Sequence, residues 1–491
     1  MKKVMLSAAA LMIGGLAFGQ VTNSAGTAPD ATPVPNLSLD GDANTGLSIQ
    51  NGDDNRVRVR QAGTSQSART TQDNGAGTGG NLAWLMQTGE VQAASGVGNE
   101  AEVQQSGTAN ESFTKQEGDY NDAFTAQGQN NDASSGNKAR IRQGTGQQAQ
   151  DNFAAIEQDG DDNIAFTRQT YDNSEAWTRQ VGNENKSMIL QDAGPNQTDG
   201  HSAFNHQEGD RNESSIDQSG LGGRNTATAY QIGFDNQSKQ LQVTSAPSGS
   251  SGNRGSVSQG TFFEIPSLSQ FASDMLAYDP QANTVWFNPP TAGNKAKQTQ
   301  YGENNGAEIA QWGGDVDASN YAEQLQDVGS SGNDAVIFQG HHYTGEPSNY
   351  AKQYQTGADN RAGLTQTGSA NKALQDQRGD ENEALSSQMG SEHLLNIHQR
   401  GNLNFGTSVQ HGAGNAALLV QHDGQSYSIE QNAGLFALDR SAGGNQADIL
   451  QMGPNGDFGA GAIPCEFDEP MNLDMTYDVP PVVIEDICDD C

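Results

Sequence analysis

The chain has 491 residues, of which 33% are hydrophobic and 6% aromatic, while glycine alone fills 60 positions, so a large oily core is excluded. Its 60 acidic against 25 basic side chains give a formal net charge of -35, which argues against nucleic acid or an anionic membrane as a partner. Such a composition reads as disordered unless a repeat lets each unit bury polar groups against its neighbour.

Residues 1–19 read as a signal peptide. Lys2 and Lys3 precede an apolar run from Met5 to Phe18, and Ala17-Phe18-Gly19 forms a small-residue cleavage site ahead of Gln20. The run is short for a bilayer span, and no later segment reaches that length, so a secreted chain with no membrane insertion is expected. Residues 20–50 are rich in Pro, Thr, Asn and Asp and read as a flexible leader.

From residue 51 to 244 and again from 293 to 453 the chain repeats. Glutamines recur every eleven residues at Gln355, Gln366, Gln377, Gln388, Gln399, Gln410 and Gln421, and the same spacing joins Gln105, Gln116 and Gln127. The unit reads Asn-x-Ala-x-x-x-Gln-x-Gly, as at Asn371, Ala373, Gln377 and Gly379. An eleven-residue period also suits a right-handed coiled coil. A glycine in nearly every unit rejects that reading, at about 1 kcal/mol for each interior glycine.

In an extended strand, Asn, Ala, the residue four after Asn, and Gln all point to one face, taken as the inner one. Gly-Asp pairs such as Gly118-Asp119, Gly160-Asp161, Gly209-Asp210 and Gly379-Asp380 supply the turns. The predicted fold is all-β: a parallel β-solenoid of stacked strand-turn-strand-turn rungs built from 11-residue half-repeats. About fifteen rungs would make a rod of roughly 70 Å around a thin polar core. A buried amide is costly alone, but in a stack it donates to the identical amide one rung away. The ladder candidates are Asn121, Gln127, Asn163, Gln169, Asn360, Gln366, Asn371, Gln377, Asn382, Gln388, Asn415 and Gln421. The two open sheet ends are templates for further pairing.

The units Asn371 to Gly379 and Asn382 to Gly390 resemble the curlin repeat of bacterial functional amyloids, over about four-fifths of the mature chain, roughly 51–453. The resemblance implies a subunit exported through an outer-membrane curli-type secretion pore of a Gram-negative cell. Such a subunit polymerises with itself, and with related curlin subunits or a nucleator, into extracellular fibres of the biofilm matrix. His393, Leu395, Gly406 and Ser426 depart from the pattern, standing where Asn or Ala is expected, and the chain is long for the family. Its rank as major subunit, minor subunit or nucleator stays open.

Residues 245–292 break the repeat with Pro247, Phe262-Phe263, Trp286-Phe287 and Pro289-Pro290 and read as an insertion packed on the outer face. Residues 454–491 form an acidic segment, a candidate cap for the last rung, which holds all three cysteines, Cys465, Cys488 and Cys491. A disulfide from Cys465 to Cys488 or Cys491 is expected there in preference to a metal. Catalytic and metal motifs are not found, so neither an enzyme nor a cofactor is expected. His393, His398, His411 and His422 are read as solvent-facing, and Phe124, Phe166 and Trp177 as outward aromatics available for lateral adhesion. Competing functions are a monomeric capped adhesin or ice-binding solenoid and a β-helix polysaccharide enzyme; the first lacks threonine arrays for ice, the second a cluster of large loops.

Overall fold

The structure, a computed structural model, describes residues 44–453 apart from 76–78, 89–96, 129–133, 145–148, 195–199, 222, 245–250, 261–290, 314–318, 341–347 and 433–442. The described residues form strands and turns, with no helix among them. Each strand pairs in parallel with the strand two units on: Thr45–Asn51 pairs with Ser67–Asp73, and Arg56–Ala62 with Leu82–Thr88. Alternate units therefore build two facing sheets. Sheet 1 has 16 strands, of which Thr291–Ala292 lies off the main path, and sheet 2 has 15. One strand from each makes a rung. Rung 1 is Thr45–Asn51 with Arg56–Ala62, and rung 15 is Ser426–Gln431 with Gln446–Met452.

Register holds through the slips in the repeat, apart from a bulge where Arg224 faces Ser251 but Thr226 faces Arg254. Gln355 and Gln377 are 22 residues apart, Gln242 and Gln300 are 58 apart, yet both pairs sit on adjacent rungs. Backbone pairing and the inward alternation enforce this, because a one-residue slip would turn the whole inner set outward.

The turns bend at two positive-φ residues, a glycine two after Gln and the residue just before Asn, as at Gly390 (φ 128) and Glu392 (φ 58). A Cβ on Gly390 would lie 1.8 Å from the carbonyl oxygen of Gly412 on the next rung, so stacking as well as φ demands glycine. The Asp after the glycine fastens the turn to its neighbour. Asp380 Oδ1 accepts from the Ala358 N–H at 2.9 Å, and Asp161 Oδ1 from the Ser135 N–H at 2.9 Å.

The core is not wholly polar, contrary to the expectation. The position four after Asn carries Val103, Ile141, Ile156, Ile309, Ile337 and Leu364, all fully buried beside the alanine columns. Apolar stretches therefore run between flanking rows of Asn and Gln, interrupted in sheet 2 by Gln240, Gln298, Gln324, Gln353 and Gln375 on successive rungs, of which the last four form a further glutamine ladder. The apolar stretches add hydrophobic stabilisation that the amides cannot supply.

The solenoid is also wider in sequence than the repeat count. Thr45–Asn51 begins within the segment assigned to the leader, 20–50, and Ser251–Gln259 lies within the segment assigned to the insertion. Both units keep Asn and Gln (Asn44 with Gln50, Asn253 with Gln259) but place Gly46 or Gly255 where alanine is usual. The signal peptide, the aromatic part of the insertion, the acidic segment and Cys465, Cys488 and Cys491 lie outside the described residues. No helix among the described residues is long and apolar enough to cross a membrane.

Candidate assembly interface: the side-chain ladders and the end rungs

All twelve ladder candidates are fully buried. Each joins residues of its own kind: Gln366 Nε2 donates to Gln388 Oε1 at 2.8 Å, while Asn382 Nδ2 donates to Asn360 Oδ1 at 2.9 Å. In sheet 1 the glutamine ladder runs without a break from Gln50 to Gln431. In sheet 2 it runs from Gln61 to Gln451. Each amide also donates across the core, as Gln388 Nε2 does to the Lys372 carbonyl at 3.1 Å. Both hydrogens and the oxygen are thereby used, which removes the cost of burial.

The ladders have opposite polarities. Along the ladders each glutamine donates towards rung 15, whereas the asparagine backbone N–H donates towards rung 1, to the Oδ1 of the preceding rung, joined in many units by Nδ2 as at Asn382. His393 and His201 take asparagine positions without breaking the ladder. Nδ1 of His393 accepts the Asn415 N–H and Nδ1 of His201 the Asn225 N–H, each at 3.3 Å, while Nε2 faces a backbone carbonyl. That pattern requires the neutral imidazole with its proton on Nε2. Burial, above all, pushes the pKa of His201 down to about 4 and also lowers that of His393.

Three of the four histidines expected in solvent are thus found buried: His393 inside the ladder, and His398 and His411 at 3% exposure on the strands. His422 is half-buried. The outward aromatics differ from expectation as well. Phe124 and Phe166 keep only 7% and 4% exposure, and Trp177 is half-buried. A rung spacing of about 4.8 Å packs outward side chains against those above and below. Phe124 packs with Ala155, Phe153 and Trp177, and Arg140 lies over the Phe166 ring, 5.6 Å from its centroid.

Charge is sorted between the two outer faces. The strands of sheet 2 carry sixteen lysines and arginines against eight acids. Those of sheet 1 carry five against thirteen. Several sheet 1 acids are buried, and burial raises the carboxyls of Asp122 and Glu157 to about 7 and Asp334 to about 6.

The end rungs are the exposed cross-sections of this column. Ile49 and Leu450 are 40% and 47% exposed, and the apolar inward positions Val57, Val59, Ala447 and Ile449 are only half-buried. Gln50 and Gln61 offer ladder acceptors at rung 1, and Gln431 and Gln451 carry donors at rung 15, where the described column stops. The continuous ladders pass through residues outside the repeat count. Gln50 and Gln259 are marked in sequence by their spacing from Asn, and His201 by its place two before Ala203, six before Gln207 and eight before Gly209, the asparagine position of the unit. No protein-family model matches the chain, and no curated protein matches it.

Proposed function

We propose that this chain is a structural subunit that polymerises head to tail, rung 15 of one copy stacking on rung 1 of the next. The observation that carries this reading is the polarity of the ladders across the two ends. A head-to-tail junction sets Gln431 and Gln451 donors against Gln50 and Gln61 acceptors, and the Asn55 backbone N–H against the Asn445 acceptor. In a head-to-head junction acceptor would meet acceptor. The apolar columns match too: in sheet 2, Ala447 and Ile449 meet Val57 and Val59. In the alanine column of sheet 1, Tyr427 sits between Gly406 below and Gly46 of the next copy above. Open parallel edges of this kind extend without new folding, and a junction that does not close gives a fibre.

On this reading the chain is an extracellular, curli-like amyloid subunit of a biofilm matrix, exported through a dedicated outer-membrane pore, and it carries out no catalysis. The curlin-like repeat and the amino-terminal residues 1–19 support that setting. The test is to dilute the chain lacking residues 1–19 from denaturant and follow thioflavin fluorescence, electron microscopy and fibre diffraction. Unbranched fibres with a reflection near about 4.7–4.8 Å are expected. A β-rich monomer that persists for days and cannot extend preformed seeds would point instead to a capped monomeric adhesin.

A further inference from the structure

The basic face of sheet 2 is uneven along the rod. Its first six rungs, Arg56–Ala62 to Lys186–Asp192, hold nine of its lysines and arginines and only three acids. Its last three, Leu394–Arg400 to Gln446–Met452, hold one base and one acid. Within the basic end, Lys115, Arg142 and Arg168 stack directly on successive rungs, a like-charge column in which Lys115 is paired with Glu117 and which a further anion beside the two arginines would stabilise. Arg142 beside Arg140 adds to burial in lowering the pKa of Arg140. Arg56, Arg60 and Arg168 are exposed, and Lys138 and Lys186, though paired with Glu111 and Glu213, keep 41% and 45% of their side-chain surface. Arginine planes over Trp84, Phe113 and Phe166 make the same face apolar as well as cationic.

The chain carries its own counterpart. Residues 454–491 contain ten acidic and no basic side chains, interleaved with Phe467, Leu473, Met475, Tyr477 and Val482-Val483-Ile484. The described chain enters this segment from the strand Gln446–Met452, on sheet 2 at rung 15.

We propose that the acidic segment 454–491 of each copy clasps the basic end of sheet 2 on the next copy, bridging the junction between subunits. This rests on the head-to-tail reading given above. In such a fibre, rungs 1–6 of the neighbour lie roughly 5–30 Å beyond rung 15, whereas the same rungs of the parent chain lie roughly 45–70 Å back, at about 4.8 Å per rung. The 38 residues span up to ~125 Å when extended, so both are within reach. The nearer site has the higher effective concentration, and the path back along the parent rod first crosses three rungs without net charge. Anionic carboxylates on the neighbour's arginines neutralise the like-charge column, and the aliphatic and aromatic side chains cover the rings between them.

The test uses the protein from residue 20 onwards, grown with ordinary nitrogen and with ¹⁵N, mixed before assembly, and treated in the fibre with a carbodiimide that joins carboxylates to lysines. Mass spectrometry should find links from Glu466–Asp490 to Lys115, Lys138 and Lys186, with about half of them joining a heavy to a light chain, the share that an equal mixture gives when every link is between chains. Reversing the segment (Asp468→Lys, Glu469→Lys, Asp474→Lys) leaves the rod untouched and should cut those links about fivefold or more, as should raising the salt towards 1 M. The face variant Arg140→Glu/Arg142→Glu/Arg168→Glu should do the same. Fibres whose links fall only within one chain, or spread evenly over all lysines, overturn the clasp and leave polymerisation standing. Absence of fibres overturns both. Heparin that binds the wild type as tightly as the reversed-segment variant would make the face a polyanion site that the segment does not occupy, and overturn the clasp.

Discussion

At the scale of single residues, the two ladder histidines make stability depend on pH. His201 has an ordinary pKa of 6.5 that burial lowers to about 4, so the unfolded chain takes up its proton first. The stabilisation is complete above 6.5 and is lost as pH falls towards 4, by about 3 kcal/mol at most. Protonated Nδ1 would point N–H at the N–H of Asn225 and sever the ladder there. His393 behaves in the same sense, with burial the leading cause and the nearby His411 adding to it. Asp122 and Glu157 work in the opposite direction: their raised carboxyls stabilise at low pH and lose that contribution as pH rises through about 7. Urea unfolding of dilute monomer between pH 7 and 4.5 separates the two. The double variant His201→Asn/His393→Asn should gain on the wild type steadily as pH falls below 6.5, because asparagine restores an acceptor that does not titrate. A constant difference across that range would show that the imidazoles are not neutral acceptors.

At the scale of the strand-turn unit, glycine and glutamine have separable tasks. Gly390→Ala brings a methyl against the Gly412 carbonyl at a φ of 128, and a loss of about 2–4 kcal/mol is expected, measured by the shift in urea midpoint. Glu392 holds φ 58 by itself, and Glu392→Gly should relieve strain and change stability by less than about 1 kcal/mol in either direction. Gln366→Glu leaves Gln388 without its donor and buries a carboxylate, so it should cost about 3 kcal/mol or more, while Gln366→Leu should cost less. The unit was largely legible before the fold was known, because an eleven-residue period with alternation of two leaves one inward set. The strands Thr45–Asn51 and Ser251–Gln259 are less legible, because Gly46 and Gly255 replace the alanine that helps to mark the unit. The apolar stretches are not legible unit by unit because the column varies among Val, Ile, Leu, Thr, Ser and Gln, and only stacking shows where the apolar members adjoin. Burial of the outward Phe124 and Phe166 depends on neighbours 22 to 31 residues away, which a single unit does not display.

At the scale of the whole molecule, the strand charges cancel between the two sheets, so the net -35 resides outside the strands. Sorting of this kind appears in sequence only when alternate units are read separately, because consecutive units face opposite ways. A chain of this charge repels its copies out to about 10 Å at 0.1 M salt, and growth should accelerate with ionic strength up to that needed for screening. Contact specificity must then come from the end rungs. Val59→Lys spoils rung 1 and Ile449→Lys spoils rung 15, each at a half-buried position where the rod itself loses little. If copies join head to tail, neither variant polymerises alone, since every junction needs one intact end of each kind. Mixed in equal amounts, the intact rung 1 of the Ile449→Lys chain docks on the intact rung 15 of the Val59→Lys chain. Growth then stops at that pair, because the two outer ends are both spoiled. Native mass spectrometry of the mixture should therefore show a heterodimer that neither variant forms by itself. Homodimers of either variant would mean that like ends join, and the polarity of the ladders would not be what directs assembly.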